Sequence, residues 1–310
     1  MDFKQLRAFI AVAETGNVTR AADVLHVVQS AVSRLIRLLE QDMGVALFER
    51  ERHGMVLTPA GQALLDYARR AMLELARARA EVGATGQAVG GLVTLGLLPS
   101  TSEVLASALV AAVAQEFPGI RLRIVMGYAG TLLRWLDSGE ADAALLYGAE
   151  RTADIQAVPL IEEPLWVIGP RGSGLRADRA VPLAELAAHR LVLPSAPHGI
   201  RTIVDHACAV AHVELDILAE TNALSVQRSL VLGGHGLTIL PPISVAEDLR
   251  RRRLAGAPLA DPAVTRTIVL ATSSSRPAGR AARCAIDILV REAKRAVAAG
   301  TWREGRWLGG

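Results

Sequence analysis

Five polar residues in the stretch 29–37 are spaced for chemistry on one ligand: Gln29, Ser30, Ser33, Arg34 and Arg37. On a helix of 3.6 residues per turn they fall on or near one polar side over about two turns, with Val32, Leu35, Ile36 and Leu39 turned inward. Glutamine suits an adenine edge, arginine a guanine edge or a phosphate, and serine a phosphate. An apolar back would keep such a helix docked while its donors enter a DNA major groove. Arg50, Arg52 and His53 stand close by and extend the same chemistry, gripping phosphate backbone or reaching the minor groove. The plainer alternative is a solvated helix, with Arg37 and Glu40 turned to water. Taken alone, the five residues favour that alternative; the pattern around them reverses the preference.

Several short elements must position that face. Phe3, Leu6, Phe9, Ile10 and Ala13 keep helical spacing and predict a first helix ending near Gly16. Residues 18–26 predict a second, with Ala21, Ala22 and Leu25 inward, and residues 29–43 a third, closed by Gly44. Strand signals at 47–50 and 55–57 predict a β-hairpin wing behind a helix-turn-helix. Val28 cannot cap the third helix, so the hydroxyl of Ser30 is expected to do so, moving the helix start slightly. Pro59 opens a long helix to about Val82, in which Leu64, Ala68, Ala71, Leu75, Ala78 and Val82 alternate spacings of four and three. This heptad seam predicts a partner helix and hence a homo-oligomer, because the outer face is dense in charge: Arg69, Arg70, Glu74, Arg77, Arg79 and Glu81. The alternative is a helix packed on its own domain. Four glycines within 83–91 predict a hinge or linker.

From residue 91 the pattern becomes strand, helix, strand. Strands are expected at 92–98, 121–126 and 141–147, with helices at 103–117 and 132–138. A second unit follows, with strands at 165–169, 190–193, 216–219 and 237–240 and helices near 183–188, 200–211 and 223–233. A late strand at 266–271 and a last helix at 278–298 complete the chain. This alternation predicts parallel sheets with helices on both faces, which bind ligands in the loops after strands. Pro99-Ser100-Thr101-Ser102 is such a place, where free backbone N–H groups and hydroxyls can hold a carboxylate. Residues 127–131, 194–201 and Thr221-Asn222 are others. Plain helix N-capping by Ser100–Ser102 is the competing reading, and both roles can coexist. Two helix starts facing one cleft favour a small anion, and after it a neutral polar metabolite.

The whole chain narrows the class. With 310 residues, 51% of them apolar, two or three domains with substantial cores are expected. The formal charge is only +3, and residues 1–58 hold seven basic against seven acidic side chains, so net charge does not argue for DNA; the placement of the arginines does. Cys208 and Cys284 are the only cysteines, which favours a reducing cytosol over a disulfide framework. They fall in different expected subdomains, which argues against a local redox switch. The N-terminus lacks an apolar signal core and no stretch reaches membrane-spanning length, so a soluble cytoplasmic protein without a membrane partner is expected. His206-x-Cys208-x-x-x-His212 invites a metal reading, but only Cys208 and His212 share a face, and a structural role is preferred; no metal or cofactor is expected. A Walker loop, a Gly-x-Ser-x-Gly elbow and a His-Glu-x-x-His helix are all missing, so an enzyme is not expected.

The motifs Ala21-Ala22…Leu25-His26, Gln29-x-Ala31-Val32-Ser33, Ile36…Leu39-Glu40, Gly44-x-x-Leu47-Phe48-x-Arg50 and Leu57-Thr58-Pro59-x-Gly61 together closely resemble the DNA-binding end of LysR-type transcriptional regulators. Phe117-Pro118, Gly139-Glu-Ala-Asp142 and Gly236-Leu-Thr-Ile-Leu-Pro241 resemble the effector-binding half of that family, and the pattern at 86–96 is similar to the branch of nitrogen assimilation control regulators. Two departures stand out: Val28-Gln29-Ser30 where the family usually has Ser-Gln-Pro, and a bulky, titratable His235 within Gly233-Gly234-His235-Gly236.

The resemblance implies a winged helix-turn-helix at 1–58, a linker helix and hinge at 59–90, and a periplasmic-binding-protein-like α/β effector domain at 91–310. Its subdomain I would comprise about 91–161 and 267–300, and subdomain II about 162–266. It implies promoter DNA, a homodimer or homotetramer, and a small effector between the subdomains, touching Ser100, Thr101, Thr131, Ser195, His198 and Asn222; the residues themselves add Ser102, at the same helix start, and His235, where it could overlook the cleft. RNA polymerase is a further partner that the resemblance admits. Two alternatives remain open: a regulator of this family that needs no effector, and a solute-binding or enzymatic α/β module carrying a DNA-binding head.

Overall fold

The computed structural model describes residues 1–51, 54–83, 89–148 and 154–309. The chain divides into two compact units, residues 1–86 with 138–140, and residues 87–137 with 141–310.

In the first unit, helix α1 (Phe3–Thr15) opens with a reciprocal cap: the Asp2 carboxylate accepts from the Gln5 backbone, and the Gln5 side chain accepts from the Asp2 backbone. It closes on Gly16 in the left-handed region, at φ 62°. Helix α2 (Val18–Leu25) is capped by the Asn17 side chain. Helix α3 (Gln29–Met43) follows it, then β1 (Phe48–Glu51) and β2 (Gly54–Leu57), an antiparallel pair. Phe9, Val12, Ala21, Val32, Ile36, Leu39 and Leu47 make one buried cluster. Gly16 carries a second duty: its carbonyl accepts the Met55 N–H and lies 2.3 Å from where a Cβ on Gly54 would stand, so the wing docks where only glycine fits. Helix α4 (Pro59–Gly83) leads out of this cluster.

The second unit begins with β3 (Gly90–Leu97), α5 (Pro99–Glu116), β4 (Gly119–Met126), α6 (Ala129–Ser138) and β5 (Ala143–Tyr147). Next come β6 (Ile155–Pro164) and β7 (Trp166–Pro170), then β8 (Val181–Pro182), a 3₁₀ turn at Leu183–Ala188 and β9 (Arg190–Leu193). Helix α7 (Gly199–Ala211), β10 (Asp216–Glu220), α8 (Leu224–Leu232), β11 (Thr238–Leu240), a 3₁₀ turn at Pro242–Val245 and α9 (Ala246–Arg250) follow. The chain returns through β12 (Leu254–Ala260) and β13 (Thr265–Ser273), and ends in α10 (Arg280–Ala298) and β14 (Arg306–Trp307).

Two sheets organise this unit. The first has the order β14-β6-β13-β5-β3-β4, the second β11-β7-β12-β8. The β10-β9 pair joins β11 through a parallel bridge between Leu191 and Leu237. Strand β3 runs parallel to β4 and β5, but β13 is antiparallel to β5 and β6, and β7 is antiparallel to β11 and β12. The sheets are therefore mixed, which corrects the all-parallel expectation. Strands β6, β8, β12 and β14 were not anticipated from the sequence, and even anticipated strands pair antiparallel, β13 with β5 and β11 with β7. Strand β6 runs into β7 and β12 runs into β13, so the chain crosses between the sheets twice, and the two crossing strands pair over the whole of Thr265–Ser273.

Helix α5 starts at Pro99, four residues earlier than expected, because proline is tolerated in a first helical turn. Ser100, Thr101 and Ser102 thus sit inside the helix and are not its caps; the Thr101 hydroxyl donates back to the Leu98 carbonyl at 3.1 Å. The segment 183–188 is a 3₁₀ turn where an α-helix was expected. Among the described residues, no helix is long and apolar enough to cross a membrane.

Candidate functional site

The α3 face stands clear of the first unit's core. Gln29, Ser30, Arg34 and Arg37 are exposed, Ser33 is half-buried, and Arg50 is exposed on β1. The Gln29 amide donates to the Ser33 hydroxyl at 3.1 Å, and Arg37 Nε donates to the Ser33 carbonyl at 3.4 Å. Arg34 has no hydrogen bond or ion pair among the described residues. The helix starts at Gln29 with Val28 extended at the cap and no side-chain cap bond, so the expected capping by Ser30 is corrected. Ser30 is left free, on the first turn, where backbone N–H groups lack partners. Glu40 does not merely solvate the helix: its Oε1 accepts the Leu47 N–H at 2.8 Å and the Phe48 N–H at 3.3 Å, tying the wing to α3. Arg52 and His53 lie outside the described residues.

Helix α4 divides the expected seam. Ala68 is 1% exposed and, with Leu65, belongs to the first unit's own core, while Leu64 packs partly against it. That part of the seam follows the alternative reading, a helix packed on its own domain. Ala71 and Ala78 are exposed and Leu75 is half-buried, so the later half remains open; the side chain of Val82 lies outside the described residues.

The second unit holds a cleft of about 370 Å³, its open mouth included. The start of α5 (Leu98, Pro99, Ser100) and the start of α7 (His198, Ile200) both line it. Tyr128, Tyr147, Pro194, Leu224 and Leu240 form mostly apolar walls, and Asn222, Gln227, Ser244 and Arg266 supply the remaining polar groups. Arg266 is 3% exposed and stands opposite Glu163, which is fully buried, in the β13–β6 register. Its Nε donates to Glu163 Oε1 at 2.6 Å, and its Nη2 donates to the Ser100 hydroxyl at 2.9 Å. The other Glu163 oxygen accepts from the Trp302 indole at 2.9 Å. The guanidinium also lies over the Tyr147 ring, 4.9 Å from its centroid. Nη1 makes no hydrogen bond among the described residues, so this line of contacts leaves one arm of the fork available to the cleft.

His198 stands edge-on to Tyr128, at 4.8 Å between ring centroids. Its Nδ1 is buried without a partner among the described residues. Burial, reinforced by the Arg266 charge, pulls its pKa down to about 4, so the imidazole is neutral at pH 7 and presents one donor and one acceptor. Burial pushes the Tyr147 phenol upward, partly opposed by Arg266 and by the Ile200 backbone N–H. Gly199 is required by this packing, because a Cβ there would lie 2.2 Å from the Tyr147 ring.

Of the eight sequence-proposed contact residues, Ser100, His198 and Asn222 come together at the cleft. Thr101 and Ser102 are buried behind it, and the Ser102 hydroxyl is engaged by Pro99 and Met126. Thr131 is half-buried and takes a hydrogen bond from Arg134. Ser195 donates its backbone N–H to the Asn222 side chain, beside the lining residue Pro194. His235 is exposed, folds back over Gly233 and does not line the cleft, contrary to the expectation. Arg201 is engaged by Asp205, Glu220 and the Pro194 carbonyl, and is not a lining residue.

Residues 3–62 match the bacterial regulatory helix-turn-helix proteins of the lysR family, and residues 86–294 match the LysR substrate binding domain. The chain belongs to the LysR family. It is a LysR-type transcriptional regulator, with a DNA-binding helix-turn-helix and an effector-binding domain. It is 31% identical to the HTH-type transcriptional regulator BbuR of Bordetella bronchiseptica, over 100% of this chain and 94% of that protein. It is 29% identical to the nitrogen assimilation regulatory protein nac of Klebsiella aerogenes, over 78% of each. Full-length CbnR, solved in complex with its target DNA, superposes with a TM-score of 0.73 at 26% identity, covering 96% of this chain and all of that one.

Within this LysR-family chain, sequence reasoning missed Arg266, Glu163, Tyr147 and Trp302. Each lies in or beside a strand, far from the Ser- and Gly-containing turns searched for an anion site. The one available signal was a charge, Glu163 or Arg266, inside an otherwise apolar run. The Cys208–His212 pairing on one face is corrected as well: His212 is the left-handed C-cap after α7. Among the described residues, no group of His, Cys, Asp or Glu is arranged to hold a metal.

Proposed function

We propose that this LysR-family regulator senses a small organic anion, held in the cleft between the starts of α5 and α7. The observation that carries the reading is Arg266, a buried guanidinium fixed by Glu163 and Ser100 with Nη1 left over. A carboxylate there would take a charge-assisted hydrogen bond, aided by the positive ends of two helices. Glu163 already balances the Arg266 charge, so the cleft tolerates being empty, and apolar walls favour a ligand with a compact apolar body. Neutral His198 and the Asn222 amide can serve either a donor or an acceptor on that body. Because β6 and β13 carry Glu163 and Arg266 and are also the crossing strands, a ligand bound at Arg266 acts at the joint of the effector domain. It regulates only through unequal affinity for two arrangements of that domain.

Thiol chemistry is a poorer reading of sensing. Cys208 is buried and its pKa is raised, chiefly by burial and then by Asp205, which disfavours the reactive thiolate.

On the DNA side, Gln29, Ser30, Ser33, Arg34, Arg37 and Arg50 contact the promoter, and RNA polymerase is the downstream partner. Chains pair through the open half of α4, Ala71, Leu75 and Ala78. Leu75→Glu should therefore lower the oligomer mass in sedimentation; an unchanged mass would place the pairing elsewhere. The effector reading is tested by titrating a panel of small carboxylates, phosphate and sulfate into wild type and Arg266→Lys, following melting temperature. Lysine keeps the charge but loses the planar fork. A carboxylate that stabilises wild type and not the variant supports the reading. A ligand that stabilises both equally removes Arg266 from the site.

A further inference from the structure

The electrostatics of the chain are concentrated away from its helix-turn-helix. Residues 1–58 carry seven basic and seven acidic side chains. At the end of the β7–β12 pair, six arginines gather: Arg171, Arg228, Arg250, Arg251, Arg252 and Arg253. Continuity is set by the backbone, since the Arg171 N–H donates to the Arg253 carbonyl where Pro170 pairs with Leu254. Among the described residues, three carboxylates are paired with these arginines or lie toward them. Glu247 is shared by Arg250 and Arg251, buried Asp248 is shared by Arg228 and Arg253, and Glu103 lies toward Arg228. The excess of three equals the formal charge of the whole chain, so the remainder is neutral.

The arrangement is built and not merely dense. Each shared carboxylate holds two guanidiniums while compensating only one, which leaves one positive charge per pair uncompensated on partly ordered forks. Arg250 and Arg251 remain 65% and 60% exposed despite their ion pairs. Arg171 and Arg252 are exposed and have no ion pair among the described residues. Arg252 holds φ at 55°, a left-handed conformation that is uncommon for a non-glycine side chain and several-fold enriched in asparagine.

We propose that this arginine surface of the effector domain is a second, sequence-independent contact to DNA phosphates, supplying electrostatic attraction that the neutral head lacks. DNA is the polyanion its family binds, and planar forks suit phosphate oxygens. The contact releases counterions and carries no base information.

The test uses full-length protein and a long random-sequence duplex, with affinity followed by anisotropy through a salt titration. The probe variant is Arg171→Gln with Arg252→Asn, which leaves every ion pair named above intact and suits the left-handed position. Each phosphate that the variant no longer neutralises should reduce the slope of log affinity against log salt by about 0.9, so a reduction of about 1.8 is expected. Arg171→Lys with Arg252→Lys should restore most of the slope. An unchanged slope in the probe variant, with its melting temperature preserved, would overturn the proposal. So would unchanged DNA binding with reduced transcription in a reconstituted system, which would assign the surface to an acidic protein.

Discussion

Arg266 and Glu163 face each other across the two strands by which the chain passes between its sheets, and both are almost completely buried. Their pairing is a consequence of register: a slip of one residue in either strand would turn its member of the pair to the other face of the sheet. Removing one partner strands a charge out of water, which typically costs about 3–5 kcal/mol. Glu163→Leu should therefore lower the urea midpoint far more than substitution of an exposed ion pair such as Arg306–Glu162. A loss below about 1 kcal/mol would mean that solvent reaches the pair.

Trp302 lies beyond the segment that matches the family's effector domain, yet its indole closes the same network. Trp302→Phe keeps an aromatic ring and removes the donor to Glu163 Oε2. Leaving a buried acceptor without its partner costs about 1–3 kcal/mol. The check is a double-mutant cycle with Glu163→Gln: a coupling energy near zero would show that the indole serves only as packing.

His198 gives the effector domain a pH dependence of known sign. Its folded pKa is about 4 against an ordinary 6.5, so between those values the unfolded chain takes up the proton that the folded chain refuses. Stability contributed by the neutral ring is present above pH 6.5, falls as pH drops, and is lost by about pH 4. Solvent screening of a ring that is not wholly buried keeps the full span below about 3 kcal/mol. His198→Phe keeps an aromatic ring without a titratable nitrogen, and the Nδ1 it discards has no partner among the described residues. The variant should lose less stability than wild type between pH 7 and pH 4.5 in urea titrations; equal losses would remove His198 as the source.

Much of the first unit is written locally. Asn17, Gly16 and Gly44 punctuate the helices, and the inward positions of α3 recur at helical spacing, so its polar face could be read before any contact was known. The effector cleft is different. Ser100 and His198 were legible because they sit at helix starts, but Arg266 meets Ser100 across 166 positions of sequence and Trp302 meets Glu163 across 139. Such contacts follow from the pairing of β6 with β13, and β6 was not anticipated: Pro159 and Pro164 interrupt its run, and it lacks the strict alternation that marks a half-exposed strand. The α4 seam failed in part for a related reason. Leu65 and Ala68 are claimed by the first unit's own core, with Leu64 packed against it.

The α3 face separates two side chains that spacing alone treats alike. The Ser33 hydroxyl already accepts from Gln29, and its carbonyl accepts from Arg37, so Ser33 orders its neighbours. Arg34 is exposed and engaged by no described residue, which leaves its whole fork for DNA. An arginine bidentate to a guanine contributes about 1–3 kcal/mol of discrimination, whereas removing an arginine that grips phosphate weakens binding to all sequences alike. Arg34→Ala should reduce affinity for the protein's own promoter about 5- to 150-fold. Ser33→Ala should have a smaller effect, expressed through Gln29. The measurement is promoter and random-duplex affinity at one salt concentration for each variant. A selective loss on the promoter assigns Arg34 to a base edge, and an equal loss on both assigns it to phosphate. Wild-type affinity on both duplexes would remove Arg34 from the DNA interface.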